Sequence, residues 1–328
     1  MVILFILWII GSFLSFYFNP EFEYVGSLIV LNRYLLFLIL GCVFISLSES
    51  RSFVQKCKSI FELFFLVNNS MILLGFIFKI DLFLSYPLEE EVSRFGYKGL
   101  IYGTNEVAGI YILGTAYFFR ENFKGNRKKG FLLLFTCLAD LLTGTKATIL
   151  GLLLLSVYYF VKYRLSSFIL FVVPLFAMFV IIIKVYWNII QDRYMAFVIQ
   201  KFETMDILTF LMSGRNAYVA KNINYMNSHW SLINYLVGDG FLYSETDFLD
   251  LYFFFGIGAF LYLYLYISIF FMKDRSDDNY VLFIVFILIA FSAGHIIQSA
   301  AVPVFLLLFI FSNEAVKSNE VLGYNRAN

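Results

Sequence analysis

GFLLLFTCLADLLTGTKATILGLLLLSVYYFV, residues 130–161, and YVLFIVFILIAFSAGHIIQSAAVPVFLLLFIFS, residues 280–312, decide the fold of this chain. Each stretch is apolar, about 32 residues long and flanked at both ends by basic residues. Two complete helical crossings of a membrane need roughly 40 residues. Each stretch is therefore expected to form a tight helical hairpin whose turn stays near or below the membrane surface. The turns hold Lys146 and His295, and ionisable side chains at such a depth usually face a cavity and have a function.

The composition indicates an all-α polytopic membrane protein. Hydrophobic residues make up 61% and charged residues 14% of the 328 residues, which is more apolar surface than a soluble fold needs. Residues 1–18 lack a basic leader and a small-residue cleavage site, so we expect a retained first span. The three cysteines show no metal-ligand spacing, and we expect no disulfide.

Hydropathy predicts about ten transmembrane helices within a single integral membrane domain, residues 1–328. The predicted spans are 1–18, 25–47, 60–78, 99–119, 130–142, 147–161, 166–187, 247–271, 280–295 and 297–312. Lys and Arg concentrate in the alternate loops and in the C-terminal tail, so both termini are expected in the cytoplasm. Residues 188–246 then form one large outer (periplasmic) loop, with amphipathic spacing from Tyr194 to Leu208.

Arg215 is the leading candidate for a phosphate-binding residue. Ser213 precedes it as a predicted helix cap, which would place Arg215 in the first turn of a helix, where free N–H groups attract anions. Lys146 and His295 at the hairpin turns, and Arg94 on the same face, are further candidates for binding a phosphate. The alternative for Arg215 is a loop arginine paired with a carboxylate. For Lys146 it is a side chain that extends to the outer membrane–water interface, and for His295 it is a buried histidine with its hydrogen bonds satisfied.

Carboxylates of the run 245–250 are candidates for acid/base chemistry. Glu245 and Asp247 are the predicted catalytic residues, and Asp250 lies about one helical turn after Asp247. The alternative is a helix start, in which Ser244 and Asp247 form a capping box. Asn105 and Glu106 are further candidate site residues on the same, outer membrane face. We expect no metal, no cofactor and no nucleic-acid partner, because the sequence has no metal-ligand spacing and no phosphate-loop fingerprint.

The order of these clusters resembles the Wzy-type branch of the bacterial O-antigen polymerase/ligase superfamily. The matching segments are Gly103-Thr104-Asn105-Glu106, Thr143-Gly144-Thr145-Lys146, Ser213-Gly214-Arg215, Glu245–Asp250 with Gly256-Ile257-Gly258, and Ser292-Ala293-Gly294-His295. The resemblance implies a multi-pass glycosyltransferase of the inner membrane, with a fold similar to the C-type glycosyltransferases. Its substrates would be oligosaccharides linked to undecaprenyl pyrophosphate within the membrane lipid, and a chain-length regulator is a further implied partner.

Three other functions stay open from the sequence. An O-antigen ligase would move finished glycan to another acceptor, but related ligases carry a His-Asn pair where Glu245 and Thr246 stand here. A lipid-linked sugar flippase or transporter should show inverted repeats and broken helices at mid-membrane. A non-catalytic scaffold does not explain ionisable residues in two short hairpins.

Overall fold

The computed structural model describes residues 1–18, 23–86, 96–123, 128–163, 184, 209, 212, 214–240 and 242–312. Within these residues the protein is all-helical, with twelve α-helices and one 3₁₀ helix, which confirms the predicted all-α class. The helices are α1 (Val2–Phe18), α2 (Tyr24–Leu47), α3 (Arg51–Phe78), α4 (Thr104–Phe123), α5 (Lys128–Leu142), α6 (Lys146–Tyr163), α7 (Arg215–His229), α8 (Leu232–Val237), α9 (Asp247–Phe255), α10 (Gly258–Phe270), α11 (Asp277–Ala293) and α12 (Val302–Ser312).

Three of these helices, α2, α3 and α6, are long and apolar enough to cross a membrane. The 24 residues of α2 extend about 36 Å at 1.5 Å per residue, which exceeds the thickness of a hydrocarbon core. Shorter apolar helices occur at Val2–Tyr17, Gly258–Phe270 and Val302–Ser312. The protein is therefore a helical protein with the character of a membrane protein.

Several predicted boundaries are wrong. α3 begins at Arg51, so most of the predicted loop 48–59 is helical, and α4 begins at Thr104 instead of residue 99. The predicted span 247–271 is two helices, because Gly256 has φ +57° and its Cα lies against the backbone of Leu236 and Gly238. The second hairpin has a connector from Gly294 to Ala301, so its first arm is Asp277–Ala293 instead of 280–295, and its second arm begins at Val302 instead of residue 297.

The described chain divides into two compact units. The first comprises Met1–Lys58, Ile207–Ser276 and Ala290–Asn328, and the second comprises Ser59–Asp206 and Asp277–Ile289. The predicted single membrane domain stays a prediction. The predicted span 166–187, the amphipathic segment 194–208 and Arg94 lie outside the described residues.

Aromatic side chains form the core of the first unit. Tyr34 of α2 packs on Phe254 and Tyr262, with ring centroids 5.3 and 5.6 Å apart. The Trp8 indole N–H of α1 donates to the Ser27 hydroxyl of α2 at 2.8 Å. These contacts hold α1, α2, α9 and α10 together.

The second unit contains the first hairpin, in which α5 and α6 both pack against α4. A buried network joins its helices, since the Asn68 amide donates to the Tyr111 hydroxyl at 2.9 Å and that hydroxyl donates to Asn69 at 2.7 Å. The Asn69 amide in turn donates to the Thr136 hydroxyl at 3.0 Å. Side-chain hydrogen bonds of this kind hold neighbouring helices together in a membrane.

Candidate functional site

Two short segments of the first unit meet backbone to backbone, residues 242–246 before α9 and the connector 294–301 after α11. Gly294 lies so close to this first segment that a Cβ at its position would overlap the carbonyl oxygen of Glu245. Glu245 and His295 both have left-handed backbones, with φ +62° and +60°. A non-glycine residue rarely adopts this conformation, and strained residues of this kind cluster at functional sites. Both residues are predicted site residues.

Asp247 connects the two segments. Its Oδ2 accepts the backbone N–H groups of Ile296 and Ile297 at 2.8 and 3.1 Å, and its Oδ1 accepts that of Gln298 at 3.4 Å. Asp247 is 1% exposed. The predicted capping box of Ser244 and Asp247 is wrong, because the cap residue of α9 is Thr246. Both carboxylate oxygens hold the connector, which suits a positioning role.

Asp250 stabilises the segment that precedes α9. Its Oδ1 accepts both the backbone N–H of Ser244, at 2.5 Å, and the Ser244 hydroxyl, at 2.6 Å. The Ser244 hydroxyl also contacts that of Thr246 at 2.7 Å. These bonds fix the backbone immediately beside Glu245, so the position of the Glu245 side chain depends on Asp250.

Arg215 lies beside Glu245. Its Nε is 3.4 Å from Oε2 of Glu245, and the side chains are 12% and 38% exposed. Arg215 begins α7, but the cap residue is Gly214, with φ +88°, so the predicted cap by Ser213 is wrong. Glycine brings no side-chain acceptor to the first N–H groups of a helix, and these groups attract anions. The arrangement therefore places a permanent cation, an electropositive helix end and a carboxylate together.

His295 contacts the hydroxyl of Tyr243, which lies 2.7 Å from its Nδ1. Burial, together with the positive charges of Arg215 and Arg33, lowers the pKa of His295 to about 4. The imidazole is therefore neutral at pH 7 and can donate one N–H and accept one hydrogen bond. His295 can therefore donate a hydrogen bond without carrying a positive charge.

A pocket of about 260 Å³ lies in the same unit, and sequence reasoning missed most of the residues that line it. Arg33 and Tyr34 of α2 line it together with Tyr243, Asp250 and Gln298. An arginine inside the apolar span 25–47 was the signal that could have identified this place, because an ionisable residue within a span usually marks a functional site.

The remaining candidates lie in the second unit or outside the described residues. Lys146 is the first residue of α6 and is exposed, and the Thr145 hydroxyl accepts the N–H of Thr148 at 3.2 Å. Glu106 lies in the first turn of α4 and accepts the N–H of Gly103 at 3.2 Å, with Asn105 beside it in the chain. Their participation in one site with Arg215, and that of Arg94, stays a prediction.

No group of three or more His, Cys, Asp or Glu residues that could hold a metal ion occurs in the described parts of the chain. Comparison of the sequence and the structure with protein-family models, with curated proteins and with solved structures finds no match.

Proposed function

We propose that this protein is a membrane glycosyltransferase that polymerises lipid-linked oligosaccharide repeat units on the outer face of the bacterial inner membrane. It would transfer the growing glycan from undecaprenyl pyrophosphate to the next repeat unit, as in the synthesis of O-antigen or a similar surface polysaccharide. The observation that carries the proposal is the convergence of Arg215, Glu245 and His295 on one place, with left-handed backbones at two of the three.

The cationic part of the site suits the leaving group. Arg215 would bind the donor pyrophosphate, because a guanidinium forms paired hydrogen bonds with phosphate oxygens and keeps its charge. The electropositive N-terminal end of α7 would add a favourable field, and the neutral imidazole of His295 would add a hydrogen-bond donor. These groups stabilise the negative charge that develops as the anomeric bond breaks.

A carboxylate would act as the general base that removes the proton of the acceptor hydroxyl. The oxygen of an acceptor hydroxyl attacks the anomeric carbon, a new C–O bond forms, and undecaprenyl pyrophosphate leaves with the electron pair of the broken bond. Glu245 takes the hydroxyl proton, since its side chain is partly exposed and stands beside Arg215. Asp247 supports this step indirectly, because its two oxygens are occupied by the connector N–H groups.

The predicted transmembrane topology is part of the same proposal. Ten spans, cytoplasmic termini and an outer loop 188–246 would place the site where flipped lipid-linked units arrive. Glu245 and Thr246, at positions where related ligases carry His and Asn, favour a polymerase over a ligase. Lys146 and Arg94 remain proposed partners of the pyrophosphate.

Purified protein in liposomes, supplied with lipid-linked repeat units from its source organism, tests the proposal. Wild type is expected to form glycan of more than one repeat. Arg215→Ala is expected to lower the rate by about 10²-fold or more, as for the loss of a preorganised transition-state donor, and Glu245→Gln should also be defective. Lys221→Ala, which removes an exposed cation from the same helix, is the matched control and should keep the wild-type rate. Unchanged polymer from Arg215→Ala and Glu245→Gln, at normal protein levels, would refute the mechanism.

A further inference from the structure

The pocket beside α2 combines hydrogen-bond donors, acceptors and aromatic rings in a small volume. Arg33 contributes only donors and Asp250 contributes an acceptor, while Tyr243 and Phe254 provide ring surface. Its volume of about 260 Å³ is slightly below the range typical of drug-sized ligands, which is roughly 300–1,000 Å³. The pocket therefore suits one ring-sized polar ligand.

Tyr34 supplies the sharpest evidence that a ligand belongs there. Its side chain lines the pocket and is 0% exposed, and its hydroxyl has no hydrogen-bond partner among the residues that the structure describes. A buried polar group is almost always satisfied in a native protein, because an unmade hydrogen bond is unfavourable. A ligand hydroxyl in the pocket would satisfy it.

Arg33 provides a second, independent reason. It is the tenth residue of an apolar helix, where a charged side chain is unfavourable in a membrane unless it serves a function. Arg33 forms no hydrogen bond or ion pair within the described part of the chain. The residue is exposed and lines the pocket, so its guanidinium can donate to a ligand there.

The charges around the pocket distinguish between ligand classes. The carboxylates of Glu23 and Asp250 both line it, which is unfavourable for a phosphate dianion. An acyl chain would leave Arg33, Asp250 and the Tyr34 hydroxyl without partners. A sugar ring presents hydroxyl groups that both donate and accept, and its apolar faces pack on aromatic rings.

We propose that this pocket holds the terminal sugar of the acceptor repeat unit, with Arg33, Tyr34 and Asp250 binding its hydroxyl groups. The proposal rests on the glycosyltransferase function above and adds the place of the second substrate. Tyr243 lines the pocket and its hydroxyl contacts His295, so the pocket adjoins the proposed pyrophosphate site. An acceptor hydroxyl would then stand beside Glu245, which receives its proton as the glycosidic bond forms.

Steady-state kinetics with two distinguishable substrates test the proposal. The donor is a lipid-linked glycan of many repeats, and the acceptor is a single labelled lipid-linked repeat unit. Tyr34→Phe removes one hydroxyl and is expected to raise the KM for the acceptor about 5- to 10-fold while leaving the KM for the donor unchanged. Arg33→Met should raise the acceptor KM by more than that. Tyr262→Phe is the matched control, because its hydroxyl is also fully buried without a partner in the described residues but does not line the pocket.

The kinetic and binding results decide the outcome as follows. Unchanged acceptor KM in both Tyr34→Phe and Arg33→Met, or a rise in the donor KM alone, overturns the acceptor pocket. Competition by inorganic phosphate that depends on Arg33 also overturns it, in favour of an anion site. If the wild type forms no glycosidic bond, calorimetric titration with the released repeat-unit glycan separates the two proposals. Binding weakened by Tyr34→Phe then supports the pocket without the polymerase, and absence of binding refutes the pocket.

Discussion

Replacement of Asp247 should weaken the fold more than replacement of Asp250, although both are buried carboxylates in the first turn of α9. Asp247→Ala leaves the three N–H groups of residues 296–298 without their acceptor. Each buried unsatisfied donor costs about 1–3 kcal/mol, and relaxation makes the sum less than additive, so we expect a loss of about 3–6 kcal/mol. Asp247→Asn keeps one oxygen for two of the N–H groups and should lose about 2–4 kcal/mol.

Asp250→Asn is the matched comparison. Both Ser244 donors bind Oδ1, so an amide oxygen in that place keeps both bonds and the expected loss is only about 1 kcal/mol. Thermal unfolding in detergent, followed by tryptophan fluorescence at one pH, measures the difference. Asp247→Ala should lower the Tm by on the order of 5–10 °C, with Asp247→Asn between Ala and wild type. Wild-type Tm in Asp247→Ala, or a larger loss in Asp250→Asn than in Asp247→Asn, would refute the view that Asp247 holds the connector.

Three further predictions concern the glycine contact, the histidine and a buried charge. Gly294→Ala should lower both Tm and glycosyl transfer, because its Cβ would overlap the adjoining carbonyl. Gly214 also has a positive φ, but no atom of the described residues lies within 4 Å of a Cβ at its position, so Gly214→Ala should lower Tm less. Since the folded pKa of His295 is about 4 and its ordinary value is 6.5, this histidine binds more protons in the unfolded chain than in the folded chain between these pH values. The stability that the neutral imidazole contributes is therefore lost as pH drops from 6.5 to 4, and the Tm of His295→Gln relative to wild type should rise over this range; a constant Tm difference would contradict this. Arg120→Met removes a 3% exposed cation of the second unit, which donates to Asn279 and lies beside Asp278, and it should lower the free energy of unfolding by about 1–3 kcal/mol. Lys162→Met, whose side chain is 33% exposed, should lower Tm less; equal Tm losses would contradict this.

Local hydropathy was sufficient to predict most helices, because an apolar run and its polar flanks are properties of consecutive residues. The turn beside His295 was expected from the length of the apolar run, but the break at Gly256, and the segments that Gly256 and Gly294 contact, were not predictable in this way. Gly256 leaves the helix where its backbone meets that of Leu236, and Gly294 does so against Glu245. These are contacts between segments distant in the chain, and a single sequence does not reveal which glycine will meet which carbonyl.

The same distinction applies to the candidate site. The residue types of Arg215 and Glu245 indicated phosphate and proton chemistry, and the structure places these two side chains together. The separate roles of the two carboxylates could be assigned only from hydrogen bonds in the structure. Asp247 accepts from the connector, and Asp250 accepts from Ser244. A capping pattern in the sequence suggested a different partner for Asp247, because short-range motifs compete with long-range acceptors that the sequence does not show.

Arg33 relates the proposed orientation to the proposed chemistry. If the N-terminus is cytoplasmic, α1 runs outward and α2 runs inward from Tyr24. Arg33 is nine residues further along, about 14 Å along the helix axis at 1.5 Å per residue, which is close to half the thickness of a hydrocarbon core. Its long side chain can extend from that depth toward the outer interface. The acceptor pocket would then open to the membrane face on which lipid-linked units are presented, whereas the opposite orientation would place Arg33 and the pocket on the cytoplasmic side, away from the outward-facing sugars.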